Sequence, residues 1–382
     1  MLNHYYYQPS TDDETDAENK SKSARRKSKR NKRHSKGRLK HTHDVNQEDI
    51  ADVAETDEVD KAHKLKPPKH HTFLKMVIGI VLILALILSI FTALMYLYVK
   101  NVPLANDNGR TNILILGVDD TANLSDTIML LSIDNSHEVP KTALLSIPRD
   151  LYVPIPEFGS AKINAAYAYG ENNNYDGGGL ALSMATIESV LDINIHYHIS
   201  LDFDDFANII DSLGGVEVEV LRDLNDQFYP DDRGGYEPLY IPAGTHHMDG
   251  EMALKYARSR QTTNDFDRAF RQQQILLATK DAALNLRPYQ DIESIRELAS
   301  IIGGDIATNI SLPQALNMAD LLRQVNVDET PHYVLDTSNF LSPIANEAGA
   351  SLVPASGNLS SIQQFVANIF NQKDIKQYPS FE

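Results

Sequence analysis

Residues Met76–Val99, MVIGIVLILALILSIFTALMYLYV, run for twenty-four positions without a charge. At about 1.5 Å per residue, such a helix reaches roughly 36 Å, enough to cross a hydrocarbon core of about 30 Å with some tilt. A buried helix of a soluble protein would carry a polar stripe, and this run has none. It therefore reads as a transmembrane helix. Lys61, Lys64, Lys66, Lys69 and Lys75 precede it, while Lys100 alone follows closely. That bias predicts a cytoplasmic N-terminus and an extracellular stretch over 101–382. The run starts too late and is too long for a cleaved signal peptide, so the expectation is a retained single-pass signal anchor in the cell membrane. Tyr96 and Tyr98 suit an interfacial belt at its outer end.

The anchor separates two unlike stretches. Residues 1–75 hold 17 Lys+Arg and 13 Asp+Glu with almost no apolar periodicity, the composition of a disordered cytoplasmic tail. Its run Lys20–Lys40 has twelve basic residues and no acid. No aromatic residue interleaves the run and no fold accompanies it, so no nucleic-acid partner is expected. Residues 101–382 hold 17 basic and 39 acidic residues. Cysteine is absent, which excludes a disulfide framework, a thiolate nucleophile and a zinc–thiolate site.

Against that acidic background, Asp249–Gln274 places Arg258, Arg260, Arg268 and Arg271 within fourteen residues. Guanidinium is permanently charged and offers a planar fork of donors that suits phosphate. Four together repel one another unless an anion lies between them. Arg268, Arg271 and Gln272 have i, i+3 and i+4 spacing and would share a helix face.

Thr111–Gly117, Thr127–Ile133 and Lys141–Ile147 are apolar runs of strand length, which predicts a sheet covered on both faces. Helices are expected over Gly178–Leu191, Phe203–Leu213, Gly250–Ala257 (with Asp249 as N-cap), Phe266–Leu286, Ile292–Ile302, Leu312–Gln324 and Ser360–Phe370. Strands are expected at His196–Leu201, Val216–Leu221 and His332–Leu335. The alternation predicts an α/β fold, a layered α-β-α domain around a central mixed β-sheet. Residues 111–290 would form the catalytic part, and the helices and strand of 291–382 would complete the extracellular domain.

Ligands in open α/β sheets sit at the carboxyl ends of strands. Asp119 and Asp120 follow the first expected strand, Asp126 precedes the second, and Arg149-Asp150 follows the third. Asp119 and Asp126 could converge on a hard cation that shares its remaining positions with phosphate and water. No Walker, zincin, nucleophile-elbow or dinucleotide motif is present. Gly177-Gly178-Gly179 reads as a turn rather than a phosphate cradle.

Taken together, several motifs resemble the LytR-CpsA-Psr proteins of Gram-positive cell envelopes. They are Asn112-Ile-Leu-Ile-Leu-Gly-Val-Asp119, Ser125-Asp126-Thr127-Ile-Met-Leu130, Leu145-Ser-Ile-Pro-Arg-Asp150 and Lys162-Ile-Asn-Ala-Ala-Tyr167. The series continues through Leu213-Gly-Gly-Val216, Asp249-Gly-Glu-Met-Ala-Leu-Lys-Tyr-Ala-Arg-Ser-Arg260 and Asp267-Arg-Ala-Phe-Arg-Gln-Gln273. The family usually has arginine before its Ser-Asp-Thr and often another after its Gly-Val-Asp, where this chain has Leu124 and Asp120.

The resemblance implies a transferase that moves an anionic glycopolymer, wall teichoic acid or capsular polysaccharide, from a polyprenyl-pyrophosphate carrier to peptidoglycan. It implies Mg²⁺ (or Mn²⁺) on Asp119 and Asp126, and pyrophosphate on Arg149, Arg258, Arg260, Arg268 and Arg271 with Gln272 as a further donor. Arg149, Arg258 and Arg260 would also act in catalysis, and Asp150 would orient an arginine or accept the sugar hydroxyl proton. The lipid tail would fill an apolar tunnel beside the sheet. Two other readings stay open: an envelope regulator of the kind labelled transcriptional attenuator, which binds the carrier without turnover, and a hydrolase acting on its pyrophosphate.

Overall fold

The computed structural model describes residues 70–119, 122–231, 234–260, 264–287, 290–304, 306–325 and 330–372. The basic tail as far as residue 69 and Asp120 lie outside the described residues. Helix α1 (His70–Lys100) contains the apolar run and begins six residues before it, inside the stretch assigned above to the disordered tail. Among the described residues it is the one helix long and apolar enough to cross a membrane.

Beyond the anchor come β1 (Arg110–Asp119), β2 (Leu124–Asp134), β3 (Lys141–Ser146), a short hairpin of β4 (Tyr152–Ile155) and β5 (Gly159–Lys162), then α2 (Ala165–Asn172), α3 (Gly178–Leu191) and β6 (Tyr197–Leu201). Next are α4 (Phe203–Ser212), β7 (Val216–Val220), β8 (Leu224–Pro230), β9 (Tyr236–Ile241), β10 (Gly244–Met248), α5 (Gly250–Arg258) and α6 (Asp265–Asn285). The rest comprises α7 (Ile292–Gly304), β11 (Ala307–Thr308), α8 (Leu312–Arg323), β12 (His332–Val334), β13 (Leu341–Asn346), β14 (Gly349–Pro354) and α9 (Ser360–Ala367). The helix expected over Ser360–Phe370 stops at Ala367 and gives way to a 3₁₀ turn, Ile369–Asn371.

Six strands make one mixed sheet in the order β11-β6-β1-β2-β3-β12. β1, β2 and β3 pair antiparallel, whereas β6 joins β1 and β12 joins β3 in parallel. Alternation along β1 sends Leu114, Leu116 and Val118 to a face packed by Ile187 and Val190 of α3 and Ile362 and Phe365 of α9. Ile113 and Ile115 point the other way, onto Met318 of α8 and Leu276 of α6. Each fully buried Leu or Ile contributes about 1.5–3 kcal/mol, so the two faces together are the main stabilising layer. The helix–sheet–helix order expected from the continuous apolar runs is the one found.

A separate apolar cluster joins Val216, Val218 and Val220 of β7, Leu224 and Tyr229 of β8, Leu239 and Ile241 of β9, and Ile210, Tyr256 and Ile275 of α4, α5 and α6. Local chemistry starts these helices. Asp202 accepts from Asp205 N at 2.7 Å, Asp249 from Met252 N at 2.9 Å and Asn264 from Asp267 N at 2.8 Å. At α3 the Gly-rich turn is closed from within the chain: Glu171 Oε1 accepts from Gly179 N at 2.7 Å, and Gly177 takes the left-handed conformation at φ 82°. That helix N-terminus already holds a carboxylate.

Gly250, at the start of α5, permits close contact with α4. A Cβ there would lie 2.9 Å from Ala207 Cα and closer still to its carbonyl. Alanine gains about 1 kcal/mol in helix propensity, but an unyielding backbone clash costs about 1–3 kcal/mol. Gly250→Ala is therefore expected to lower the unfolding temperature, measured by differential scanning calorimetry of the detergent-solubilised chain.

Candidate active site

A cavity of about 630 Å³ opens at the end of the sheet where β1 turns into β2. Asp119, Asp126, Thr127, Arg258, Arg260, Asp265, Arg268 and Gln272 all line it. The β1–β2 pairing explains how both aspartates reach it. Gly117 faces Thr127 but Val118 faces Ser125, so Asp126 is an extra residue in a β-bulge. In an unbroken ladder, Asp126 would oppose Val118 and point into the apolar core. The bulge turns it beside Thr127 onto the cavity side.

Helix periodicity sorts the residues of α6. Arg268 and Gln272, four apart, lie about 40° from one another around the axis and face the cavity, whereas Arg271 is turned away by a further fraction of a turn. Gln273 pins the helix to the sheet, donating from Nε2 to Ser146 Oγ and to Tyr333 O, both at 2.8 Å. Arg258, at the last position of α5, stacks its guanidinium carbon 4.1 Å above the centroid of the Phe203 ring. Among the described residues no carboxylate lies within salt-bridge distance of it.

Three of the expected site residues have other work. Arg271 is buried and outside the cavity lining: its Nε donates to Tyr256 O at 2.9 Å and its Nη2 to Ser259 O. Those are carbonyls of the last turn of α5 and the residue after it, so Arg271 ties α6 to the turn that carries Arg258 and Arg260. Arg149 also lies outside the lining and gives Nη1 to Asp126 Oδ1 at 2.7 Å, with Asp150 and Asp265 each 3.9 Å from its Nε. Burial opposes its charge, but those carboxylates outweigh it and hold the guanidinium pKa above its ordinary value. Arg149 thus links Asp126 and Asp265 of the cavity lining to Asp150. Asp150 receives Lys162 Nζ at 2.6 Å and lies 3.9 Å from Arg149 Nε.

Asp265, which the sequence reading passed over, sits among the arginines. Its Oδ2 is 3.1 Å from Arg268 Nη2 and its Oδ1 3.6 Å from Arg260 Nε. Burial, together with the neighbouring Arg149 and Arg260, pushes Arg268 down to about 10 despite Asp265. An anion in the cavity would relieve that repulsion. The buried Nε of Arg268 has no hydrogen-bond partner. Asp265 therefore leaves part of the Arg268 guanidinium unmatched.

Two apolar cavities continue from it. The first, about 120 Å³, shares Thr127, Phe203, Arg258 and Gln272 with the polar one and adds Ile115, Met129, Phe206, Ile209 and Leu276. The second, about 290 Å³, shares Ile115 and Leu276 with the first and runs between the sheet, α6 and α8. The order is polar head, narrow neck, apolar groove.

The family model for LytR-CpsA-Psr proteins matches residues 94–342, well over half of the sequence. The chain belongs to the LytR-CpsA-Psr family. Bacillus subtilis polyisoprenyl-teichoic acid–peptidoglycan teichoic acid transferase TagT is 31% identical over 215 residues, 54% of this chain and 62% of that protein. The Staphylococcus aureus protein named regulatory protein MsrR is 32% identical over 216 residues, 55% of this chain and 59% of that one. The matches thus span about three fifths of the length of these relatives. A solved structure of the family protein YwtF (TagT) with bound octaprenyl pyrophosphate lipid aligns at a TM-score of 0.51 and 25% identity, over 72% of this chain and 95% of that one.

In this LytR-CpsA-Psr chain a second acid escaped the sequence reading. Asp226 of β8 is 2% exposed and accepts from Ser259 Oγ at 2.7 Å, Phe228 N at 3.0 Å and Arg260 N at 3.2 Å. With Arg271 on the carbonyl side, it brackets the turn that carries Arg258 and Arg260. Asp226→Asn removes one negative charge from the cavity lining and sets an NH₂ donor among three groups that donate to the carboxylate. It is expected to lower the urea midpoint of the solubilised chain, a loss of about 1–3 kcal/mol read from equilibrium unfolding curves.

Proposed function

We propose that the chain is a membrane-anchored phosphotransferase that moves an anionic glycopolymer, wall teichoic acid or capsular polysaccharide, from a polyprenyl-pyrophosphate carrier to a hydroxyl of peptidoglycan. The observation that carries this reading is the junction at Thr127, Phe203, Arg258 and Gln272, where the arginine-lined cavity meets the apolar neck. A diphosphate on a long hydrocarbon chain fits both halves. The transferase name of the TagT relative and the octaprenyl pyrophosphate bound in its solved structure support the same substrate class. In this reading the lysines before α1 keep the N-terminus in the cytoplasm and the domain faces peptidoglycan.

In the transfer, the acceptor oxygen bonds to the sugar-side phosphorus. The bond from that phosphorus to the bridging oxygen breaks, and polyprenyl phosphate leaves with the bridging oxygen and the hydroxyl proton. The protein's part is placement and charge neutralisation. Arg258 and Arg268 grip the diphosphate, Arg260 meets it nearer solvent, and Gln272 donates from α6. Arg149 and Asp265 hold the constellation together, and Lys162 steadies Asp150.

Four aspartates and three arginines line the polar cavity, so side chains alone give no positive excess there. The hard oxygen donors of Asp119 and Asp126 fit Mg²⁺ or Mn²⁺, which would neutralise phosphoryl charge when bound. Among the described residues no three acids or histidines converge to hold a metal by themselves. Mg²⁺ is therefore expected to bind the chain only weakly alone and much more tightly once a pyrophosphate lipid supplies phosphate oxygens. Calorimetric titration with and without octaprenyl pyrophosphate checks this, and tight lipid-independent binding would contradict it.

The test of the function is to incubate the detergent-solubilised chain with lipid-linked polymer, Mg²⁺ and peptidoglycan. Covalently attached polymer supports the transferase. Bound lipid with no product favours the regulator reading, which the MsrR relative's name suggests. Polymer phosphate released without acceptor favours a hydrolase.

A further inference from the structure

Phe228 and Tyr236, on the paired strands β8 and β9, are 54% and 68% exposed. Their ring centroids lie 5.9 Å apart with the planes at 81°, forming an open aromatic corner. The buried face of this hairpin is complete without them, because Leu224, Asp226, Tyr229, Leu239 and Ile241 already fill it. The corner arises from a register shift between Asp226 and Tyr229, which turns Phe228 outward. Phe228 and Pro230 line the polar cavity, yet neither lines the apolar neck. A carrier whose hydrocarbon leaves through the neck therefore has the corner within reach of its other substituent.

The surroundings discriminate between occupants. Glu237 follows Tyr236 on β9, and Asp231 closes the turn between the two strands by accepting from Gly235 N, so carboxylates flank the corner. Carboxylates accept hydrogen bonds from sugar hydroxyls, which a hydrocarbon chain does not offer. The anchor is tied elsewhere: Asn317 of α8 donates to Val102 O at 2.7 Å, and α8 walls the apolar cavity that shares no residue with the polar one. Pyranose rings present a C–H face that packs on aromatic rings, and two rings set edge to face offer it a notch.

We propose that the Phe228–Tyr236 corner is a sugar subsite on which a pyranose ring of the glycan stacks. The inference rests on the transferase reading and adds where the sugar lies. The ring belongs either to the donor, next to the diphosphate, or to the incoming acceptor.

The experiment uses the full chain in detergent and its Phe228→Ala, Tyr236→Ala and Phe228→Trp variants. Three probes are octaprenyl pyrophosphate, the same lipid carrying one hexopyranose, and a soluble peptidoglycan glycan fragment as acceptor. Loss of one stacking contact is expected to weaken binding by about tenfold. If the donor sugar stacks, both alanine variants lose that factor for the glycosylated lipid while sugar-free lipid binds as in the wild type. If the acceptor stacks, binding of both lipids is unchanged and the KM for the glycan fragment rises by about tenfold. In either case Phe228→Trp retains function. Equal loss for the sugar-free lipid, or no change in any arm, overturns the inference. Failure of the wild type to bind either lipid overturns the transferase reading as well, which separates the two failures.

Discussion

Arg258→Ala is expected to reduce transfer of lipid-linked polymer to peptidoglycan by about 10²–10³, the usual loss when one preorganised donor to developing charge is removed. Arg258 closes the polar cavity against the apolar neck and stacks on Phe203 rather than pairing with an acid. Its donors are therefore available to phosphate. The stacking contributes about 0.5–1 kcal/mol at a partly exposed site, so stability changes little. Arg258→Lys keeps the charge but not the fork, and should fall between the wild type and alanine. Transfer assays paired with unfolding curves check this, and wild-type transfer by Arg258→Ala would remove the residue from the site.

Arg271→Ala has the opposite signature. The side chain is 5% exposed and satisfies carbonyls of Tyr256 and Ser259. Its removal leaves buried acceptors without a donor, at about 1–3 kcal/mol each, with a cavity besides. A loss of about 3–5 kcal/mol is expected, visible as a lower urea midpoint of the solubilised chain. Activity declines through the disordered turn 256–260 rather than through a lost phosphate contact. A variant as stable as the wild type but inactive would return Arg271 to the phosphate site.

Why does one arginine of the four stand apart from the cavity lining? Spacing places Arg268, Arg271 and Gln272 on one side of α6, yet a helix side spans more than 100° and borders two partners. Arg268 and Gln272 meet the cavity, and Arg271 meets the end of α5. Nothing in the sequence states which neighbour lies where. Asp265 was hidden for another reason: it stands just before the helix expected from Phe266, where an acid is already explained by capping. Asp226 sits in an unremarkable alternating strand, and only the approach of Ser259 in three dimensions reveals its role.

The sheet was legible because β1, β2 and β3 are continuous apolar runs, which only a doubly covered sheet can bury. The hairpins β4–β5 and β13–β14 were not, since segments such as Gly159–Lys162 carry little alternation. The pairing of Asp119 and Asp126 in one cavity followed from spacing across the β1–β2 turn, but the bulge that aims Asp126 has no sequence mark. Arg149 and Asp150 were placed at the correct end of the sheet. Their partners, Asp126 and Lys162, come from elsewhere in the chain and decide their roles.

The central claim is that the arginine cavity and the apolar groove together grip a lipid diphosphate. Calorimetric comparison of octaprenyl pyrophosphate with octaprenyl monophosphate, on the full chain with Mg²⁺ present, tests it most directly. The account predicts that the diphosphate binds about 10² more tightly, a difference of about 2.7 kcal/mol, and that Arg258→Ala erases most of that preference. Equal affinity for the two lipids, or a preference untouched by Arg258→Ala, would contradict it.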